Sequence, residues 1–237
     1  MSGTYMNAGD IVAAGYSASV LALAAASVFL LMGTAWVRRG WKLPILLTAL
    51  AALVGTLCAY ETRASWVATG VAPVDYFYAG WLASMPLQIA ALYFAVRQIE
   101  PQTVSLFWRL IGVTALMVAV RYLGDARFLD ATLSFLLGIV LWLYVLGELF
   151  FGRMDEAVTR ARIVPLRRGY FWLRLIVAVG WAIYPLVQFL ISSNSGISNG
   201  AVGLTLSLAE FPNRIAFGLA LLTVAVMLAP AEAEAGK

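Results

Sequence analysis

The stretch Leu208-Ala209-Glu210-Phe211-Pro212-Asn213-Arg214-Ile215-Ala216-Phe217-Gly218-Leu219 lies in the last apolar segment of the chain. Its arginine, Arg214, follows Gly200, the last residue of a polar stretch, by 14 positions. In a helix that distance is about 21 Å, which is close to mid-membrane. A charged side chain at that depth costs at least ~2.5–3.5 kcal/mol and therefore needs a partner. Glu210 lies four residues earlier on the same helix face, so we predict a buried ion pair of Glu210 with Arg214.

The composition of the whole chain is that of a membrane protein. Of its 237 residues, 62% are hydrophobic and only 12% are charged, whereas soluble domains carry about 25% charged residues. The net charge of +4 comes from arginines clustered between apolar segments, which indicates membrane topology rather than nucleic-acid binding. Cys58 is the only cysteine and there is no histidine, so an internal disulfide is excluded and a metal site is not expected.

Seven segments contain the roughly 20 mostly apolar residues that cross a bilayer core. They lie near residues 11–37, 43–62, 75–96, 104–123, 129–151, 169–192 and 202–229. Short connections join them, so we predict an all-α, seven-transmembrane-helix bundle that forms a single domain over residues 1–237. The odd-numbered connections, including the basic stretch 153–168, hold most of the arginines. The positive-inside rule then places the N-terminus outside and the C-terminus in the cytoplasm.

The sequence also predicts four local features. β-Branched residues around Gly70 favour a short hairpin over 66–73, and the polar stretch 192–200 reads as an outer loop. Arg121, near one end of the fourth segment, is expected to reach the lipid headgroups. Pro212 cannot donate to the carbonyl of Leu208, which would then need Asn213, a water molecule or the Arg214 guanidinium as its partner.

Four motifs occur in order along the apolar segments. The third segment holds Trp81-Leu82-Ala83-Ser84-Met85-Pro86-Leu87. The fifth holds Phe135-Leu136-Leu137-Gly138 and Trp142-Leu143-Tyr144, and the sixth holds Gly180-Trp181-Ala182-Ile183-Tyr184-Pro185. With the stretch quoted first, these motifs make residues 40–228 resemble the proteorhodopsins, which are light-driven microbial (type 1) rhodopsins. The resemblance implies the fold of that family and a former retinal pocket lined by Trp81, Met85, Pro86, Gln88, Gly138, Trp142, Trp181, Tyr184 and Gln188.

The chain departs from the family at the residues that do the photochemistry. The resemblance places Arg214 where the family has the lysine that binds retinal as a Schiff base. It places Gly80 at the counterion position and Ala91 at the position of the carboxylate that reprotonates the Schiff base. A guanidinium stays charged and has no free lone pair, so it does not form a Schiff base. The only lysines are Lys42, between two segments, and Lys237, at the C-terminus.

These departures exclude a light-driven ion pump and give no sign of an enzyme. We expect a retinal-free protein of the bacterial inner (plasma) membrane that acts in assembly or regulation. It would form a homo-oligomer, as the trimers and pentamers of the family imply, or a hetero-oligomer with a functional rhodopsin. No covalent cofactor and no nucleic-acid partner are expected.

The alternative is a noncovalent carrier or sensor of retinal, retinoic acid or a carotenoid. Arg214 would then bind the carboxylate or carbonyl of the ligand. Gly138 matches a glycine that, in carotenoid-binding relatives, leaves a lateral opening. It is equally a small residue that lets two helices approach.

Overall fold

The computed structural model describes residues 7–192, 196 and 198–235, and the side chains of residues 7–190, 196 and 198–228. Within these ranges seven helices are long and apolar enough to cross a membrane, and no strand occurs. They are Ile11–Gly33, Arg39–Thr69, Val74–Arg97, Val104–Asp125, Ala131–Ala161, Val164–Leu190 and Asn199–Leu228, called the first to the seventh helix below. The predicted all-α, seven-helix architecture is therefore confirmed. The third helix is the most enclosed of the seven.

Polar residues in the connections determine where several helices begin and end. Asp10, Thr103, Asp130 and Ser198 each accept a hydrogen bond from the backbone N–H three residues later, as N-cap residues do. The hydrogen bond from the backbone N–H of Ala13 lowers the pKa of the Asp10 carboxyl below its usual value. The second helix ends at Gly70, whose φ of 71° is a left-handed conformation that glycine adopts without strain.

The second helix is longer than predicted, and the predicted hairpin over 66–73 is wrong. The helix runs from Arg39 to Thr69, so half of that stretch is helical. The indole Nε1 of Trp66 donates to the Asp10 carboxylate at 3.0 Å, which ties the end of the second helix to the start of the first. This contact and the continued helical hydrogen bonds outweigh the strand preference of the β-branched residues.

The basic stretch 153–168 is also helical, rather than an open connection. The fifth helix consists of Ala131–Phe151 and Arg153–Ala161, which meet at Gly152. The second part buries Met154, Ala157 and Val158 on one face, and this apolar stripe packs it against the bundle. Only residues 162 and 163 separate it from the next helical segment.

The loop predicted over 192–200 is only partly described. Residues 193–195 and 197 lie outside the described residues. Ser198 caps the seventh helix, which begins at Asn199, three residues before the predicted start. The backbone of this helix continues as far as Ala235.

Two membrane helices contain a wider, π-helical turn. The sixth consists of Val164–Leu175, the π-helical Ile176–Gly180 and Trp181–Ser192. The seventh consists of Asn199–Glu210, the π-helical Phe211–Ala216 and Phe217–Ala235. Such turns are common near functional sites.

The π-helical turn of the seventh helix contains Pro212, and it contacts the π-helical turn of the sixth helix. The carbonyl of Leu208 accepts from the N–H of Phe211, a partner that the sequence did not predict. Asn213 donates its side-chain amide to the carbonyl of Gly180 at 3.1 Å. A Cβ atom on Gly180 would lie 2.9 Å from the Asn213 side-chain carbon, so the approach requires glycine there.

Candidate functional site

Arg214 lies inside the bundle and has two side-chain partners. Its side chain is 4% exposed and forms an ion pair with Glu210, one helical turn earlier. Its Nη2 also donates to the hydroxyl of Ser84 on the third helix at 2.8 Å. The Ser84 hydroxyl donates in turn to the carbonyl of Gly80 at 2.6 Å. The guanidinium is therefore held by an anion and a hydroxyl, which offsets part of its desolvation.

Small residues on the second and third helices make room for this guanidinium. A Cβ atom on Gly55 would lie 2.9 Å from the central guanidinium carbon of Arg214, and one on Gly80 would lie 3.5 Å from its Nη2. Gly80, the predicted counterion position, thus faces both Cys58 and the arginine. Ala91, the other predicted lost carboxylate, is fully buried further along the third helix. Neither Gly55 nor Ser84 was predicted from the sequence, although Ser84 follows Gly80 by one helical turn.

A small cavity, which offers about 10 Å³ to the centre of a water-sized sphere, adjoins the ion pair. Glu210 and Arg214 line it from the seventh helix, and Cys58 lines it from the second. The Glu210 carboxylate also accepts a hydrogen bond from the indole Nε1 of Trp81 at 3.2 Å. The charges of this region are thus satisfied by the protein itself.

A second, larger cavity lies on the other side of Trp81. It offers about 90 Å³ to the centre of a water-sized sphere. Glu210 and Arg214 are not among the residues that line it. Its walls are mainly aromatic and aliphatic side chains from the third to the seventh helices: Val74, Phe77, Tyr78, Trp81, Met85, Met117, Val118, Arg121, Asp125, Phe135, Gly138, Ile139, Trp142, Trp181, Tyr184, Pro185, Val187, Gln188, Val202 and Leu206.

Seven of the nine residues predicted for the former retinal pocket line this cavity, namely Trp81, Met85, Gly138, Trp142, Trp181, Tyr184 and Gln188. Pro86 and Gln88 do not, which corrects the prediction for these two. The side chain of Gln88 is turned to the seventh helix, where it donates to the backbone carbonyl of Asn213. A buried amide must find such a partner, and the π-helical turn supplies one.

Together with Phe77, Trp81 lines both cavities and lies between them. Its ring lies 4.3 Å from the ring of Tyr184, measured between centroids. Tyr184 is held in turn by the side chain of Asn213, which donates to its hydroxyl at 2.8 Å. Phe77 and the indole of Trp81 thus form the wall between the two cavities, and Tyr184 packs against this wall on the side of the larger one.

One end of the larger cavity is polar, and of the residues that form it the sequence predicted only Gln188. Asp125 accepts hydrogen bonds from Arg121 at 2.9 Å, from the side-chain amide of Gln188 at 3.0 Å and from the hydroxyl of Tyr78. Arg121 is only 13% exposed, so the expectation that it reaches the headgroups is wrong. The i,i+4 spacing of Arg121 and Asp125 was the available signal.

Arg121 also covers Gly138, the glycine that would leave a lateral opening under the carotenoid-binding alternative. A Cβ atom on Gly138 would lie 2.7 Å from the Cδ atom of Arg121. The Nη1 atom of Arg121 donates to the hydroxyl of Ser134 at 3.0 Å, which holds the side chain in this place. The space beside Gly138 is thus taken by the aliphatic stem of the arginine.

Trp142 contributes a buried donor to the cavity wall. Its indole Nε1 is buried and has no hydrogen-bond partner among the described residues. An unsatisfied donor in an apolar environment costs free energy unless a ligand or a water molecule accepts from it.

Across the ranges that the structure describes, no three His, Cys, Asp or Glu side chains converge to hold a metal ion.

The chain is similar to proteorhodopsins along almost its whole length. It is 28% identical over 227 residues to the blue-light absorbing proteorhodopsin of Gamma-proteobacterium Hot 75m4, with 95% of this chain and 90% of the relative covered. It is 29% identical over 223 residues to the green-light absorbing proteorhodopsin of Gamma-proteobacterium EBAC31A08, covering 93% of this chain and 89% of the relative.

Solved structures show the same fold. The crystal structure of the blue light-absorbing proteorhodopsin from Med12 superposes with a TM-score of 0.79 at 25% identity and covers 92% of this chain and 98% of its own. Xanthorhodopsin, described as a light-driven ion pump with dual chromophore, superposes with a TM-score of 0.84 at 19% identity, covering 96% of this chain and 98% of its own. The family model described as bacteriorhodopsin-like protein matches residues 12–228. This chain is therefore an integral membrane protein of the bacteriorhodopsin-like family.

Proposed function

We propose that this protein binds a long apolar ligand of the retinoid class noncovalently in the larger cavity and neither forms a retinal Schiff base nor pumps ions with light. The observation that carries the proposal is the separation of the two cavities. Apolar and aromatic side chains surround the larger cavity, whereas the paired Arg214 and Glu210 line only the smaller one, beyond the wall made by Phe77 and Trp81.

The chemistry of Arg214 supports the noncovalent part of the proposal. Schiff-base formation requires a deprotonated amine, and the guanidinium of arginine does not supply one. The two lysines, Lys42 and Lys237, lie near the start of the second helix and at the C-terminus. Arg214 is paired with Glu210 and Ser84, so it does not serve as the anion-binding group that the sequence suggested for a carrier.

The walls of the larger cavity support the choice of ligand. Ligand sites are usually apolar and aromatic with a few placed polar groups, and this cavity has that composition. The unpartnered Nε1 of Trp142 adds a donor that a ligand or water could satisfy. A retinal-free assembly partner would need no such cavity. The assembly role, the oligomeric state and a location in the bacterial inner membrane stay predictions from the sequence.

The proposal is tested by the absorption spectrum of the purified protein after incubation with all-trans-retinal. We expect an absorption band from bound retinal that disappears on denaturation. Organic solvent should extract the retinal, and borohydride should trap no adduct. A retinyl adduct on any residue would contradict the noncovalent part. If none of retinal, retinol and retinoic acid binds saturably, the carrier function is contradicted.

Two tryptophan substitutions on the fourth helix provide a matched control. Val118 lines the cavity and is 4% exposed, so Val118→Trp should fill part of it and weaken binding at least tenfold. Leu116 is 51% exposed on the outer surface of the same helix, so Leu116→Trp should leave binding unchanged. Equal affinities for the two variants would show that the ligand binds elsewhere.

A further inference from the structure

The polar end of the larger cavity is formed by side chains from three helices. Arg121 and Asp125 lie at the end of the fourth helix, Tyr78 lies in the first turns of the third, and Gln188 lies near the end of the sixth. These positions are all at the end of the bundle where the first helix begins. The Arg121 and Asp125 side chains are 13% and 15% exposed, so this end of the cavity lies near the surface of the bundle.

The charges at this end are balanced within the protein. The carboxylate of Asp125 pairs with Arg121 and accepts from two neutral donors, Tyr78 and Gln188. Arg121 donates to Asp125 and Ser134, and a guanidinium has five N–H groups, so donors remain for an acceptor on a ligand. A neutral acceptor can use these donors without disturbing the ion pair.

A ligand carboxylate would meet a different situation. It would come close to the carboxylate of Asp125 and would compete with it for Arg121. Like charges held together in a partly buried site repel each other strongly because the effective dielectric constant is low. An alcohol or aldehyde avoids this repulsion.

We infer that the ligand is a retinoid alcohol or aldehyde whose oxygen lies at Arg121 and Asp125, with its apolar part among Trp81, Trp142 and Trp181. This inference rests on the proposed function and adds both the head group and the orientation. The oxygen is directed away from Arg214, opposite to the direction of a chain tethered at that residue. The site discriminates against the corresponding carboxylic acid.

The head group is tested by comparing the affinities of retinol, all-trans-retinal and retinoic acid. The wild-type protein should bind the alcohol and the aldehyde at least tenfold more tightly than the acid. Asp125→Asn keeps the shape of the side chain but leaves Arg121 without its anion, so the acid should gain at least tenfold. Asp155→Asn, which breaks a comparable pair with Arg174 outside this cavity, should leave the wild-type order unchanged.

These measurements separate the inference from the proposed function. If the protein binds none of the three retinoids, both are overturned. If the acid binds as tightly as the alcohol to the wild-type protein, the inference is overturned while the carrier function stands. The wild-type comparison decides the question even where Asp125→Asn fails to fold.

The orientation is tested with a retinol analogue that carries a photoreactive group at its hydroxyl end. We expect mass spectrometry to find the label on peptides around Tyr78, Asp125 or Gln188. Label around Glu210 and Arg214 would overturn the orientation.

Discussion

The two cavities beside Trp81 differ in how their polar groups are satisfied. In the smaller one, the ion pair of Glu210 with Arg214 and the hydroxyl of Ser84 satisfy one another, and glycines let the helices close around them. In the larger one, apolar walls surround open space, and the polar groups lie at one end, near the surface. The comparison indicates that the seventh-helix charge has a structural role, whereas the capacity to bind a ligand lies on the other side of the wall.

The largest effect should follow from removing one member of the buried pair. Arg214→Ala leaves the Glu210 carboxylate uncompensated, which costs about 3 kcal/mol or more in a buried site. The double variant Arg214→Ala with Glu210→Ala leaves no unpaired charge and should lose less. Unfolding in detergent, followed by circular dichroism, measures both losses.

An exposed ion pair supplies the control for this experiment. Arg109 pairs with Glu148 at 2.7 Å, but its side chain is 48% exposed. Arg109→Ala should therefore cost only about 0–1 kcal/mol. If the double variant were as unstable as Arg214→Ala alone, the pair would not be coupled in the way that its burial indicates.

A smaller loss is expected where the two π-helical turns meet. Gly180→Ala places a methyl group against the side chain of Asn213 and should destabilise the protein by about 1–3 kcal/mol. Because Asn213 also holds Tyr184, the wall between the cavities should loosen and retinol affinity should fall. Thermal unfolding and retinol titration measure the two effects.

Gly147 is the matched control for this substitution. Nothing lies within 4 Å of a Cβ atom built on it. Gly147→Ala should leave stability unchanged or raise it by up to about 1 kcal/mol, because alanine is the better helix former. Similar losses at the two glycines would argue against a close approach at Gly180.

The sequence predicted the smaller region better than the larger one. The pairing of Glu210 with Arg214 was expected because two opposite charges one turn apart in an apolar segment have few alternatives. The seven helices followed from segment length alone. Both inferences depend on local spacing, which the sequence contains directly.

The errors have a common physical origin in contacts between helices. Whether Arg121 turns outward or toward Asp125 and Gly138 depends on which residues of the fifth helix pack against it. The side chain of Gln88 found its partner at a π-helical turn, and one extra residue in a turn rotates the following helix face by about 100°. Neither the turn nor the rotation can be derived from apolar periodicity.

The smallest effect is expected for Arg214→Lys, which should gain no light-driven ion transport. The new amine would restore at most the attachment point for retinal. Gly80 and Ala91 would still supply no carboxylate to accept or return a proton. Cells that contain retinal and express this variant should show no sustained light-induced acidification, whereas cells that express a functioning proteorhodopsin should. Acidification by the single variant would mean that the charged region retains a route for protons, and the division of roles between the two cavities would have to be abandoned.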